Sequence, residues 1–225
     1  MLPEGGAQSP ESFQALLKQN APSFGLELPV AVLEQLGRFL SELDRARRRT
    51  NLTGPLSAEA LVEHALESAL GERLIPHGAR VIDIGSGAGF PGVPLAIVRS
   101  DLAVTPVEPR RRRIEFLEAV SRALGISNFS SPMKSLGQIA DESADVATAR
   151  AVGGIERLLG EPRFLRPGGL FVAWTTDVDS LRRLLPPLFR LDGDLPVPNS
   201  RRKRIARFRW GDVPRGTQPG ASDRG

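Results

Sequence analysis

An apolar run, Val81-Ile82-Asp83-Ile84, breaks into the spaced glycines of Gly85-Ser86-Gly87-Ala88-Gly89 and resumes, after Phe90-Pro91-Gly92, with helical spacing. A chain does this where a strand turns sharply into a helix. Glycine supplies the backbone angles of the turn and lets the main chain approach a ligand with no side chain between. That turn belongs to α/β folds, and the rest of the chain has the matching rhythm. Short apolar runs near 79–84, 102–107, 145–149 and 169–174, with a weaker one near 128–131, alternate with helical patterns near 92–99, 110–124, 154–160 and 178–185. Such alternation predicts βαβ units and a doubly wound, mainly parallel sheet.

Ahead of this lies helical sequence. Ser9-Pro10-Glu11 starts one helix, with proline at its first turn. Leu33, Leu36, Leu40 and Leu43 share one face of a second, from about Pro29 to Arg48, and Ser57 caps a third whose apolar face includes Leu61, Val62, Ala65 and Leu66. Thr50 to Pro55 form a polar loop between the last two. The expected division is a helical extension over 1–75, an α/β domain over 76–210 and a disordered Gly/Pro/Ser-rich tail over 211–225. Within 203–210, apolar and basic residues alternate, predicting a final strand with an exposed arginine face.

The glycine turn alone leaves dinucleotide, phosphate and nucleoside ligands open. A dinucleotide fingerprint wants Gly or Ala where this chain has Phe90, and no Gly-Lys-Ser/Thr ending follows, so neither that site nor a P-loop fits. Asp83, two residues before the first glycine, would repel a pyrophosphate and suit a cationic amine. Glu108 closes the next strand, where a carboxylate can accept both ribose hydroxyls. An amine facing Asp83 and a ribose facing Glu108 describe S-adenosylmethionine, and hence a Rossmann-like methyltransferase of the class I type.

Composition narrows the chemistry. The 225 residues include no Cys and two His, so pyrimidine C5 methylation through a cysteine nucleophile, thiolate metal sites and disulfides are excluded, and no metal is expected. No apolar run approaches the roughly 18 residues a membrane span needs, and a soluble, cytoplasmic monomer is expected. Thr148-Ala149-Arg150-Ala151-Val152 stands where exocyclic-amine methyltransferases carry an Asn/Asp-Pro-Pro-aromatic loop. A nucleophile with an available lone pair, such as a purine ring nitrogen, remains. Residues 195–225 hold eight Arg or Lys against two Asp, which makes a nucleic-acid partner reasonable and puts Arg201 to Arg209 forward as a phosphate grip.

Residues 30–175 resemble the bacterial 16S ribosomal RNA guanine-N7 methyltransferases, also called glucose-inhibited division protein B. Asn51-Leu52-Thr53 is similar to the family's Asn-Leu-Thr, and His64 with Glu67-Ser68 to its His-x-x-Asp-Ser. The glycine run continues into Phe90-Pro91-Gly92-x-Pro94-Leu95, the most specific match. Arg110 to Arg113 with Phe116-Leu117, and Arg150-Ala151-Val152, complete it. The resemblance implies a single guanine of the decoding-region loop in 16S rRNA as substrate, on RNA or the small ribosomal subunit. It implies a cofactor pocket of Gly85, Ser86, Gly87, Gly89, Phe90, Leu136, Gly137 and Arg150 beside Asp83 and Glu108. Asn51, Thr53, His64 and Arg150 would position the substrate. The chain departs from the family at Thr175-Thr176, where Lys-Gly is common, at Ser135, where Arg is common, and at Glu67. A methyltransferase for a small molecule or protein, and an inactive S-adenosylmethionine-binding protein associated with RNA, stay open as alternatives.

Overall fold

The computed structural model describes residues 7–49, 52–141 and 143–211. Asn51 and the expected tail from 212 onward lie outside them.

Three helices come first, α1 (Pro10–Asn20), α2 (Val30–Arg49) and α3 (Ala58–Leu70). Their starts follow from capping. The Ser9 hydroxyl accepts the Ser12 N–H at 3.2 Å and the Ser57 hydroxyl accepts that of Ala60 at 3.2 Å, each satisfying a donor the helix leaves open. Strands β1 (Arg80–Ile84), β2 (Ala103–Val107), β3 (Ala144–Arg150) and β4 (Leu165–Thr175) alternate with α4 (Gly92–Val98), α5 (Arg111–Leu124) and the short α6 (Ile155–Leu158). Helix α7 (Val178–Leu184) then leads into a hairpin of β5 (Phe189–Pro196) and β6 (Arg204–Trp210). The sheet runs β2-β1-β3-β4-β6-β5, its first four strands parallel and β6 antiparallel to both neighbours.

The period of two sends alternate side chains to two cores. Val81, Val104, Val146, Val172 and Ile205 pack with α1–α5. Ile82, Ala147, Phe171 and Phe208 pack on the opposite face, with α6 and the α7 side. The three N-terminal helices therefore share one continuous core with the sheet. Close approaches lock this layer: a Cβ on Gly37 would meet the Pro10 carbonyl at 2.7 Å, and one on Gly71 would run into the Trp174 ring.

Three expectations need correction. The run at 128–131 makes only isolated bridges to β2, at Phe129 and Met133. Pro106 on one side and Pro132 on the other lack the N–H groups a ladder there would need. Strand β5 was not anticipated, because Asp192, Gly193, Asp194 and Pro196 disguise it. The arginines of β6 are partly exposed, as expected for Arg204 and Arg209, but each is paired: Arg204 with Asp194, and Arg207 and Arg209 with Asp192 at 3.2 and 2.8 Å. Among the described residues no helix is long and apolar enough to cross a membrane.

Candidate functional site

The site grows from the end of β1. Gly85 turns with φ of +68°, and a Cβ there would lie 2.8 Å from Val152, so only glycine fits between β1 and the segment after β3. The N–H groups of Gly85 and Ser86 both donate to the Val107 carbonyl, at 2.8 and 3.2 Å, fastening the turn to the end of β2. The next residue along β2 is Glu108, buried at 2% exposure. Its Oε2 accepts the Gly87 N–H at 3.0 Å and a guanidinium N–H of Arg113 at 3.4 Å, while Oε1 accepts, among the described residues, only the Arg110 N–H, at 2.9 Å. A carboxylate oxygen can take two donors, so Oε1 retains capacity.

Beside Glu108 opens a crevice of about 480 Å³, lined by Ile84, Gly85, Val107, Lys134, Leu136 and Val152 among others. It lies outside the carboxyl ends of β1 and β3, where the strand order reverses and open α/β sheets take their ligands. One buried carboxylate with an open lone pair, apolar walls for a flat ring and bare backbone at Gly85 fit a nucleoside of this size.

Three of the residues expected to hold the cofactor, Gly85, Glu108 and Leu136, line this crevice. Gly87 stands behind them, holding Glu108. Asp83 is not among the residues that line it. It is fully buried, accepts the Thr148 hydroxyl at 2.7 Å and the Gly92 N–H at 3.2 Å, and ties β1 to β3 and to the first residue of α4. Burial pushes its carboxyl up to about 6 against those bonds. The Ser86 hydroxyl donates inward to the Asp83 carbonyl at 2.8 Å. Gly89 is pressed between Val93 and Phe39, and Gly137 lies in the turn after Ser135, outside the crevice lining. The Phe90 ring meets Phe39 and His64 edge-on, at centroid distances of 5.4 and 5.8 Å, so it joins the turn to the helical layer.

Arg150 also lies outside the crevice lining. It extends from the end of β3 toward α3, donating to Glu67 Oε2 at 2.6 Å and to the His64 carbonyl at 3.3 Å, with its Nη2 also 2.6 Å from His64 Nδ1. Glu67 is the hub. Its Oε1 accepts Lys203 Nζ at 2.7 Å, Lys203 also pairs with Glu63 at 2.7 Å, and the Glu67 carbonyl accepts Trp174 Nε1 at 2.8 Å. Burial works to raise the Glu67 carboxyl, but His64, Arg150 and Lys203 together hold it down at about 2. Burial lowers the Arg150 guanidinium, and Glu67 opposes that.

Around this cluster lies a second cavity of about 290 Å³, lined by Glu67, Arg150, Trp174, Thr175, Thr176 and Lys203 among others. It shares Ala151 with the crevice, and Ala151 holds φ of +52°, a conformation that costs an alanine energy. The Thr175-Thr176 wall therefore faces a cation, Lys203, delivered by the neighbouring strand. Sequence reasoning missed Lys203, whose position depends on the β4–β6 pairing. Thr53 lies in the loop after α2 with its hydroxyl buried and unpartnered among the described residues. His64 lies behind the lining of the second cavity, against Arg150 and 3.8 Å from Glu67.

The family model described as rRNA small subunit methyltransferase G matches residues 32–180. A ribosomal RNA small subunit methyltransferase G from Thermobifida fusca is 42% identical over 153 residues, which are 67% of this chain and 62% of that protein. The chain thus matches less than two thirds of that relative's length. A protein of the same name from Caldanaerobacter subterraneus subsp. tengcongensis is 36% identical over 167 residues, 70% of each chain. Among solved structures, an S-adenosylmethionine-dependent methyltransferase from Aquifex aeolicus superposes with TM-score 0.54 at 16% identity, covering 64% of this chain and 88% of that one. TrmN from Thermus thermophilus superposes with TM-score 0.55 at 20% identity, covering 82% and 54%. These structural likenesses show the fold.

Proposed function

Because the chain belongs to the rRNA small subunit methyltransferase G family, we propose that it transfers a methyl group from S-adenosylmethionine to N7 of a guanine in the decoding-region loop of 16S ribosomal RNA. The observation that carries the cofactor is Glu108, a buried carboxylate at the end of β2 with one oxygen open toward the crevice. Glu108 accepts hydrogen bonds from the ribose hydroxyls. Ile84, Leu136 and Val152 flank the base, and the bare backbone at Gly85 admits the amino-acid portion. When bound, the cofactor supplies an electrophilic methyl on a sulfonium.

Guanine N7 already carries a lone pair in the ring plane, so the chain needs no general base. Its work is alignment and exclusion of water. The second cavity, beyond Ala151, is the place for the acceptor base. Trp174 and the two threonines form its wall, while Arg150 and Lys203, both ion-paired with Glu67, offer N–H donors to the purine edge. Asn51, Thr53 and His64 belong to this reading as substrate-positioning residues, with Arg150 acting from the cavity wall.

The test is to map tritiated methyl from labelled S-adenosylmethionine onto 16S rRNA lacking the modification, free and in small subunits. One labelled guanine, sensitive to the strand cleavage that N7-methylation permits, is expected. Label in a small molecule or a protein and none in RNA would overturn the reading. For the cofactor, calorimetry on Glu108→Ala should show affinity falling at least about tenfold, the loss of a charged hydrogen-bond acceptor. Parental affinity would remove Glu108 from the site.

A further inference from the structure

Helices α2 and α5 lie side by side in opposite directions. Gln35 Nε2 donates to the Leu124 carbonyl at 3.1 Å and Arg38 to that of Ala123 at 3.0 Å, so the start of α2 meets the end of α5. At the other end, the last turn of α2 meets the first turn of α5, and both turns are arginine-rich. Between them runs a groove of about 620 Å³ with Leu52, Phe116 and Val120 at its base and Arg45, Arg49 and Arg112 on its rims.

The charges on this surface are not balanced internally. Arg45 pairs with Glu42, Arg48 with buried Asp44, and Arg111 with Glu115 in a fully solvated pair. Arg49, Arg110 and Arg112 are exposed and pair with no carboxylate among the described residues. Two of the three sit at the start of α5, where the helix dipole already places positive charge and arginine is unfavourable. An anion from outside the chain relieves that repulsion. On β6, by contrast, each arginine has a carboxylate partner, Arg204 in Asp194 and Arg207 and Arg209 in the shared Asp192. The basic surface also continues into the cofactor crevice: Arg110 and Arg113 line it, and Arg113 bridges Glu108 and the Leu52 carbonyl at 3.4 Å each.

We propose that the α2–α5 groove is the docking surface for the RNA backbone, with Arg49 and Arg112 holding phosphates across it and Arg110 leading the strand to the crevice mouth. Guanidinium forks match phosphate oxygens, and the apolar groove floor leaves room for an unstacked base. The inference rests on the RNA substrate proposed above, and it moves the grip from the C-terminal strand to the helical layer.

The probe is a hairpin carrying the decoding-region loop of unmodified small-subunit RNA, titrated with the full chain at several salt concentrations. Arg49→Gln/Arg112→Gln should weaken binding at least about tenfold at low salt. It should also flatten the plot of log affinity against log salt by about 1.4 to 1.8, two phosphate contacts at roughly 0.7 to 0.9 each. Arg207→Gln/Arg209→Gln should keep the parental slope, and S-adenosylmethionine affinity of the first pair should match the parent. A parental slope in the first pair, or equal flattening in both pairs, would overturn the surface. Binding is read without catalysis, so a parent that grips the hairpin through these arginines but methylates nothing would sink the proposed reaction and leave the surface standing.

Discussion

Burial raises the Asp83 carboxyl to about 6 even though Thr148 and Gly92 both donate to it, so the folded chain holds this proton more tightly than the unfolded chain, whose value is near 3.8. The sign follows. Between about pH 4 and pH 6 the folded state binds more protons, and stability falls as pH rises through that window, by something of the order of 3 kcal/mol. Asp83→Asn can keep both bonds, its carbonyl accepting from Gly92 and its amide donating to Thr148. In denaturant titrations across pH, that variant should lack the fall. If parent and variant track each other from pH 4 to 7, Asp83 is not the group responsible. Glu67 behaves oppositely, since three cationic or donor partners hold it at about 2, below its ordinary 4.5. Its contribution is present above about pH 4.5 and fades as pH falls toward 2. Arg150→Ala removes one partner of this 2%-exposed carboxylate and should cost about 3 kcal/mol, while S-adenosylmethionine affinity stays near the parent's. A large affinity loss with unchanged stability would return Arg150 to the cofactor crevice.

Between elements, the tightest seam joins the end of α3 to β4. Gly71 follows α3 directly and lies against the Trp174 ring, whose indole N–H is held by the Glu67 carbonyl one turn earlier. Gly71 has ordinary helical angles, so alanine there meets a purely steric penalty. Gly71→Ala should lower the denaturant midpoint by the equivalent of about 1–3 kcal/mol, the usual range for an overpacked core, with the slope unchanged. A neutral result would show that Trp174 can give way. At this scale much was readable beforehand. Ser9 and Ser57 mark helix starts because a cap needs only its own neighbours, and the leucine stripe of α2 needs only its own period. The β5 edge was hidden because Asp192 and Asp194 are poor strand residues taken alone, and become suitable only where they form ion pairs with Arg204, Arg207 and Arg209 of the neighbouring strand.

As a whole, the molecule has no seam along which the helical layer could leave the sheet. Phe13 and Leu17 of α1, Phe39 and Leu40 of α2, and Leu61 and Leu66 of α3 are fully buried in the same core as Val81, Val146 and Val172. Unfolding should therefore be a single transition, with Trp174 fluorescence in a Trp210→Phe background coinciding with loss of helical circular dichroism. A chain beginning at residue 76 should show no cooperative transition, since its sheet face would be stripped of cover. Two separated transitions would show that the layer folds independently.

Apart from β5 and the run at 128–131, the order of strands and helices, the glycine turn and the placing of Glu108 at a strand end were legible in the amino-acid order, because each depends on periodicity or on a few adjacent residues. Which way a polar side chain turns was not. Asp83 and Arg150 sit at strand positions that look like crevice positions, yet Thr148 and Gly92 claim the first and Glu67 and His64 the second. The choice between facing a ligand and facing the fold is a competition among hydrogen-bond and charge partners that meet only after folding. In the same way the acids that folding brought within reach paired the arginines of β6, while Arg49 and Arg112 meet no carboxylate among the described residues.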